Sequence, residues 1–459
     1  MLDYLRLLKS LGYYQRFQKN AREVVRRFPV LENVPLWIAA LVTGLFSVVF
    51  ARFFAFGEFI SHWLHGHDLL IVAGPICFFL SWFVVYRYAP GAKGSGIPQV
   101  MAAIAIVDSK EADRVQRSVA LEDLVGVKTA WIKILSSGLC VIGGGAIGRE
   151  GPTIQIAAGL FFLMHSWLRG IFPLLNAEAW LIAGGGAGIA AAFNTPLGGL
   201  VYAVEELATK HFNQFRTTLI SAVMVAGIAA LGLAGNYLYF GSPKLGAITV
   251  TDHFLAILIG GAAGAAGGLF GASLFAIAKY RKRLLSFRSQ AAAALLCGAT
   301  IAGIAYLIHA DAIGPGHELV MGYLSDEIKP TLQLALARFT APIISYAAGG
   351  AGGIFAPSLA AGASIGASIA HYFDPSQTEF FVLLGMVGFL TGVTHAPFTS
   401  MVLILEMTDR HSAIFPLMLA TLAAFGAAKL IGRHSFYDLM KEEYLHTFRA
   451  HILPAGVSR

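Results

Sequence analysis

The chain has 459 residues, 33 of them Lys or Arg and 26 Asp or Glu, so 13% are charged, against about 25% in ordinary soluble domains. Hydrophobic residues supply 56% and the mean hydropathy is +0.68, more apolar surface than a soluble globule of this size can hide from water. A soluble enzyme, a nucleic-acid binder and a disordered chain are excluded, and the expectation is an all-α polytopic membrane protein. At roughly 20 residues per crossing, its length allows on the order of ten to fourteen crossings.

In chain order, residues 1–35 are mixed and basic, with Arg6, Lys9, Arg16, Lys19, Arg22, Arg26 and Arg27. They read as a cytoplasmic N-terminal segment with an amphipathic helix over 4–29 lying on the inner surface, not as a cleavable signal peptide. A transmembrane region over 36–440 follows. Its first spans are Leu36–Phe56 and Leu69–Ala89. Further apolar runs cover 124–147, 154–168, 178–193, 197–208, 217–240, 253–279, 291–310, 331–347, 355–373, 379–393, 398–407 and 412–432. Several are too short to cross. Short runs broken by Gly and Pro are the sign of re-entrant helices, which survive in lipid only inside protein or beside an aqueous cavity. Residues 441–459 read as a short cytoplasmic tail. Basic clusters at Lys110–Arg117, Lys279–Arg288 and Arg433–Arg459 contrast with Gly235–His253 and Ala310–Lys329, which hold one lysine each. The positive-inside rule then puts both termini in the cytoplasm, and contact with anionic membrane lipid fits the same pattern.

An internal repeat is visible. Gly148-Arg149-Glu150-Gly151-Pro152 is followed by Asn194-Thr195-Pro196 and Glu205; Gly353-Ile354-Phe355-Ala356-Pro357 is followed by His395-Ala396-Pro397 and Glu406. The spacing from the last Pro to the Glu is the same in both. Duplicated copies with interrupted helices are typical of transporters, with the site where the copies meet. The copies are assigned to 36–210 and 217–440; the residues do not say whether they are inverted.

Gly94-Ser95-Gly96-Ile97-Pro98, Gly148–Pro152 and Gly352–Pro357 each introduce an apolar run. Pro is harmless in a first helical turn, and the first N–H groups of a helix are unpaired and partly positive. Three such starts converging would cradle an anion without a full countercharge, so that it is also released. Ser95 would add a neutral hydroxyl. Glu150 stands at one of these starts, where an anion is favoured. Ionised, its side chain can occupy the anion site itself; protonated, it can leave, so one group can gate and carry a proton. Glu205 and Glu206 are either a proton entry point from the cytoplasmic side or two solvated carboxylates at a helix end, and Glu406 reads as structural. His62, His65 and His67 read as exposed loop histidines rather than a metal site, and Cys77, Cys140 and Cys297 as buried small hydrophobes. No cofactor is called for: the sequence has no GxxxxGK[ST] loop for ATP and no hydrolase-like Ser/His pair.

At GSGIP (94–98), GREGP (148–152) and GGIFAP (352–357), with FNTPLGGLVYAVEE (193–206) and LEMTD (405–409), the chain resembles the CLC family of chloride channels and chloride/proton antiporters. The resemblance implies a fold of two inverted-topology repeats of tilted, partly broken helices, and a homodimer. It implies that Ser95, Ile354, Phe355 and Tyr437 bind chloride. The backbone at Gly94, Gly96, Arg149 and Gly151 would line the path. Glu150 is similar to the external gating glutamate, and Glu206 to the intracellular proton-transfer glutamate of antiporters. His434-Ser435-Phe436 departs from the usual residues before the tyrosine, but its spacing from Glu406 favours Tyr437 over Tyr444. Only 22 residues follow Tyr437, too few for the cytoplasmic nucleotide-binding domains of eukaryotic relatives, so a prokaryotic inner-membrane protein is expected. The function implied is exchange of chloride for protons; the alternative is a passive, voltage- or proton-gated chloride channel.

Overall fold

The computed structural model describes residues 23, 31, 33–109, 113–168, 171–172, 176–208, 212–235 and 238–452, with backbone alone for 212–216 and 451–452. Inside hydrocarbon every peptide group needs a partner from the chain itself, which a helix supplies. Among the described residues the only β pairings are isolated bridges, Gly94 with Ala351 and Gly148 with Gly353.

The helices are α1 (Val34–Gly66), α2 (Leu70–Tyr88), α3 (Ile97–Asp108), α4 (Arg114–Val125), α5 (Val127–Ile142), α6 (Glu150–Leu168), α7 (Ala177–Phe193), α8 (Pro196–Tyr202, continued by a π turn over Ala203–Leu207) and α9 (Phe212–Ala234). A second series follows: α10 (Val250–Lys282), α11 (Phe287–Leu307), α12 (His317–Leu324), α13 (Leu332–Ala348), α14 (Phe355–Phe373), α15 (Thr378–Thr394), α16 (Pro397–Thr408) and α17 (Ile414–Ile431). Helix α18 (Phe436–Ile452) closes the chain. Among the described residues eight helical segments are long and apolar enough to cross a membrane. That is fewer than length alone allowed, because α3, α7 and α16 are apolar but short. Helices α7 and α15 are apolar all round and buried along nearly their whole length, as expected of central helices.

The two series match. Each opens with a 33-residue helix, α1 and α10; α1 packs on α7 and α9, and α10 packs on α15 and α17. Helix α6 lies on α7 as α14 lies on α15. Helices α2 and α8 each touch their own counterparts, α11 and α16, which happens only beside an axis of symmetry. We propose that the copies meet in the segment 235–249, since α9 belongs by its packing with α1.

Reciprocal bonds mark that axis. Gly148 N–H donates to Gly353 O at 2.7 Å and Gly353 N–H to Gly148 O at 2.8 Å. The Glu205 carboxylate, at the end of the α8 segment, accepts from the N–H groups of Phe398 (3.2 Å) and Thr399 (2.6 Å) at the start of α16. Glu406, late in α16, accepts from Leu197 (3.1 Å) and Gly198 (2.8 Å) at the start of α8. Each carboxylate therefore caps the positive end of the other copy's helix. Two helices that cap one another end to start run antiparallel, so the repeats are inverted. The common Pro-to-Glu spacing now has a cause: nine residues rise about 13.5 Å, and both helices must span the same gap. Truncating Glu406→Ala leaves both N–H groups without this acceptor. We expect it to cost about 1–3 kcal/mol, read as a lowered melting temperature of the purified protein, and Glu205→Ala to cost a similar amount.

Some expectations need correction. Helix α1 runs ten residues past Phe56, so His62 and His65 lie on its last turns and not in a loop. His62 faces Glu318 at 3.6 Å, His65 stacks on Tyr306, and His67 bonds the carbonyl of Trp63 at 2.8 Å. Cys140 is buried, but Cys77 and Cys297 are only partly so. Residues 441–452 continue α18. Nearly all of the 1–35 segment, including the amphipathic helix over 4–29, and residues 453–459 lie outside the described residues.

Candidate functional site

Three loops stitched together by backbone bonds hold the starts of α3, α6 and α14 in one place. Gly94 N–H donates to Gly350 O (2.9 Å), and Gly352 N–H returns a bond to Gly94 O (3.0 Å). The Gly148–Gly353 pair joins the second loop to the third. The stitching is braced from behind. Ala351 N–H donates to Ser136 Oγ (2.9 Å). Gln99 receives the N–H of Gly96 (3.1 Å) and donates back to Lys93 O (2.5 Å). Gly96 has φ +109°, and a Cβ there would sit 2.5 Å from Gly151 O; one on Gly151 would sit 2.7 Å from Ser95 Oγ. The glycines thus let the first two loops touch, with Ser95 between them.

The side chains at this meeting point are buried and polar. Ser95, Glu150 and Tyr437 are 3%, 0% and 0% exposed. Ser95 Oγ, both Glu150 carboxylate oxygens and the Tyr437 hydroxyl make no well-aligned hydrogen bond among the described residues. Buried polar groups are nearly always partnered, so orphaned groups converging from α3, α6 and α18 point to something that binds among them. The Tyr437 hydroxyl lies beside Ser95, and the Glu150 carboxylate lies against the amides of Glu150 and Ala356. Ile354 and Phe355, both 1% exposed, form the start of α14, whose first N–H groups have no helical carbonyl to bond. Phe355 is steadied by Phe193, ring centroids 5.4 Å apart. The geometry therefore brings together Ser95, Glu150, Ile354, Phe355 and Tyr437, with Gly94, Gly96 and Arg149 in the surrounding loops and Gly151 in the first turn of α6. Tyr444 sits elsewhere, its hydroxyl 3.5 Å from Lys93 O.

The cradle is neutral apart from Glu150. The nearest buried ammonium, Lys133 on α5, gives its protons to Ala92 O (2.9 Å) and Gly94 O (2.7 Å). It fixes the serine loop from outside and does not enter the cradle. Sequence reading passed over Lys133, although a lone lysine inside the apolar run 124–147 was signal enough. Arg149 lies within electrostatic reach of Glu150.

Glu206 is not in the cradle. It lines a cavity of about 680 Å³ together with His395, Lys429, Asp438 and Lys441, on the α18 side. Glu205 borders the same cavity, but its oxygens are committed to α16. Of the neighbouring pair, Glu206 is therefore the one available to exchange protons with water. Chemically the arrangement offers an anion site made of amides and hydroxyls, a carboxylate able to fill part of it, and a second carboxylate at an aqueous cavity.

The chain is similar to known proteins over most of its length. A family model described as Voltage gated chloride channel matches residues 77–429. The chain is 30% identical over 462 residues to the H(+)/Cl(-) exchange transporter ClcA of Yersinia pestis bv. Antiqua (strain Angola), covering 91% of this chain and 89% of that protein. It is 28% identical over 481 residues to the protein of the same name from Salmonella gallinarum (strain 287/91 / NCTC 13346), covering 95% and 96%. Among solved structures, that of a slow cyanobacterial Cl-/H+ antiporter superposes with a TM-score of 0.76 at 24% identity, covering 90% of this chain and 98% of the other.

Proposed function

The chain belongs to the voltage gated chloride channel family, and from that premise we propose that it is a secondary active antiporter exchanging chloride for protons. The observation that carries the reading is the placement of the Glu150 carboxylate against the Ala356 amide at the start of α14, where a halide would also be held. Chloride binds between the Ser95 and Tyr437 hydroxyls and the amides of Ile354 and Phe355. An ionised Glu150 competes for the outer part of this path, because like charges in a low-dielectric site repel strongly. A proton arriving on Glu150 removes its charge and lets it leave, and chloride takes the place. Taking the site in turns is what ties the two ions together. Protons reach Glu150 from the cavity through Glu206. The neutral donors hold chloride without trapping it.

The family supports the finer assignments. On this reading the protein sits in a prokaryotic inner membrane as a homodimer in lipid, with both termini, the Glu206 cavity and the basic ends of α10 and α18 on the cytoplasmic side. No nucleic acid or enzymatic step is involved.

Reconstitution tests the reading. In liposomes with a chloride gradient, chloride moving down its gradient should drive protons uphill, seen as a pH change abolished by a protonophore. Chloride flux with no proton movement would establish the passive channel instead.

A further inference from the structure

One buried hydroxyl near Glu206 belongs to neither the cradle nor the lining of the cavity. Tyr202 is 1% exposed, and its hydroxyl has no partner among the described residues. It stands four residues before Glu206, within electrostatic reach of both Glu206 and Tyr437. Tyr437 in turn lies within reach of Glu206 and Glu150. The buried Tyr202 hydroxyl therefore lies within electrostatic reach of Glu206 and of the cradle's own phenol. Burying such a hydroxyl unbonded costs of order 1–3 kcal/mol, where a phenylalanine of the same shape would not.

The repeat sharpens the point. Tyr202 and Glu206 correspond to Leu403 and Met407 in the second copy, while Glu205 corresponds to Glu406. The shared carboxylates cap helices, while Tyr202 and Glu206 have apolar counterparts in the other copy. In that copy the helix also changes to a π turn over Ala203–Leu207, whereas α16 stays α-helical throughout. A π turn carries one extra residue per turn and often marks a functional site. Here it holds the Glu205–Glu206 pair, of which Glu205 caps α16 and Glu206 lines the cavity without a cap to make.

We propose that the Tyr202 hydroxyl is a proton relay between Glu206 and the cradle, an inference that rests on the antiport reading above. Protonated Glu206 gives its proton through bridging water to the Tyr202 oxygen as Tyr202 releases its own, again through water, toward Glu150. The phenol gains one proton and loses one, so it ends neutral, and the net change is one proton moved from the Glu206 acid to the Glu150 carboxylate. Asp438, Glu205 and Lys441 are the other charged groups around Glu206.

Tyr202→Phe tests this with the ring kept. In liposomes the proton flux driven by a chloride gradient should fall about tenfold or more, the scale of losing a positioned acid–base group, with fewer protons moved per chloride. In a Glu150→Ala background, whose chloride flux needs no proton, adding Tyr202→Phe should leave that flux unchanged. An unaltered proton-to-chloride ratio in Tyr202→Phe overturns the relay while leaving antiport intact. Equal loss of chloride flux in the Glu150→Ala background overturns it too, because the hydroxyl would then serve packing or the anion. A wild-type protein that moves chloride and no protons removes the antiport reading and the relay with it.

Discussion

Replacing Glu150 by alanine should leave chloride moving and stop the protons. The Glu150 side chain is wholly buried, and its oxygens lie against amides that an anion would also use. Alanine vacates that position without disturbing the amides, since the loop is held by the Gly148–Gly353 bonds and not by the carboxylate. The anion path then stays open at every pH. We expect proton movement to fall to the level of protein-free liposomes, chloride flux to persist within severalfold of wild type, and its dependence on outside pH to flatten. Paired chloride-electrode and pH recordings on the same vesicles check all three. Proton pumping that survives in this variant would take Glu150 out of its assigned role.

The second large effect is expected at Gly96. Its φ of +109° is one that side-chain-bearing residues rarely adopt, and a Cβ would meet the Gly151 carbonyl at 2.5 Å. The backbone strain alone costs of order 1–3 kcal/mol. The clash is with main chain, which cannot rotate away. Gly96→Ala must therefore push the Ser95 loop off the start of α6 and separate the hydroxyl from the amides it works with. Every 1.36 kcal/mol added to the transport barrier is a factor of about ten, so chloride flux should fall at least tenfold. Gly261→Ala is the matching control: a Cβ there meets nothing within 4 Å, and flux should be unchanged. Equal flux in the two variants would mean that the loops need not touch.

How much of this was legible in the sequence divides along physical lines. The helix starts at Ser95, Glu150 and Phe355 were readable because Gly and Pro act locally, through φ and a missing N–H, and leave a mark wherever they stand. The repeat was readable because Pro196–Glu205 and Pro397–Glu406 keep a fixed spacing. Its meaning was not, since a cap reaching from one copy to the other depends on two segments about 200 residues apart. Glu205 and Glu206 were indistinguishable for the same reason: the α16 N–H groups that claim Glu205 come from the other copy. The extent of α1 was underestimated because Glu58, His62 and His65 interrupt the apolar run, yet polar residues near the end of a long span cost little where it leaves the hydrocarbon. Lys133 and Tyr202 were overlooked within runs read for their apolar character, and only the position of their polar atoms gives them a role.

The reciprocal bonding of the two copies restricts how this transporter can work. Carriers of similar duplicated design expose their cargo to one side and then the other by rocking one repeat against its twin. Here the proposed chloride site lies on the seam, and the seam is fastened on both sides by the Gly148–Gly353 pair and by Glu205 and Glu406. A rocking motion would have to break those bonds and open the cradle with every cycle. Access must instead be switched by side chains and short helix ends, so spin labels on α2 and α11 should keep nearly the same separation throughout turnover.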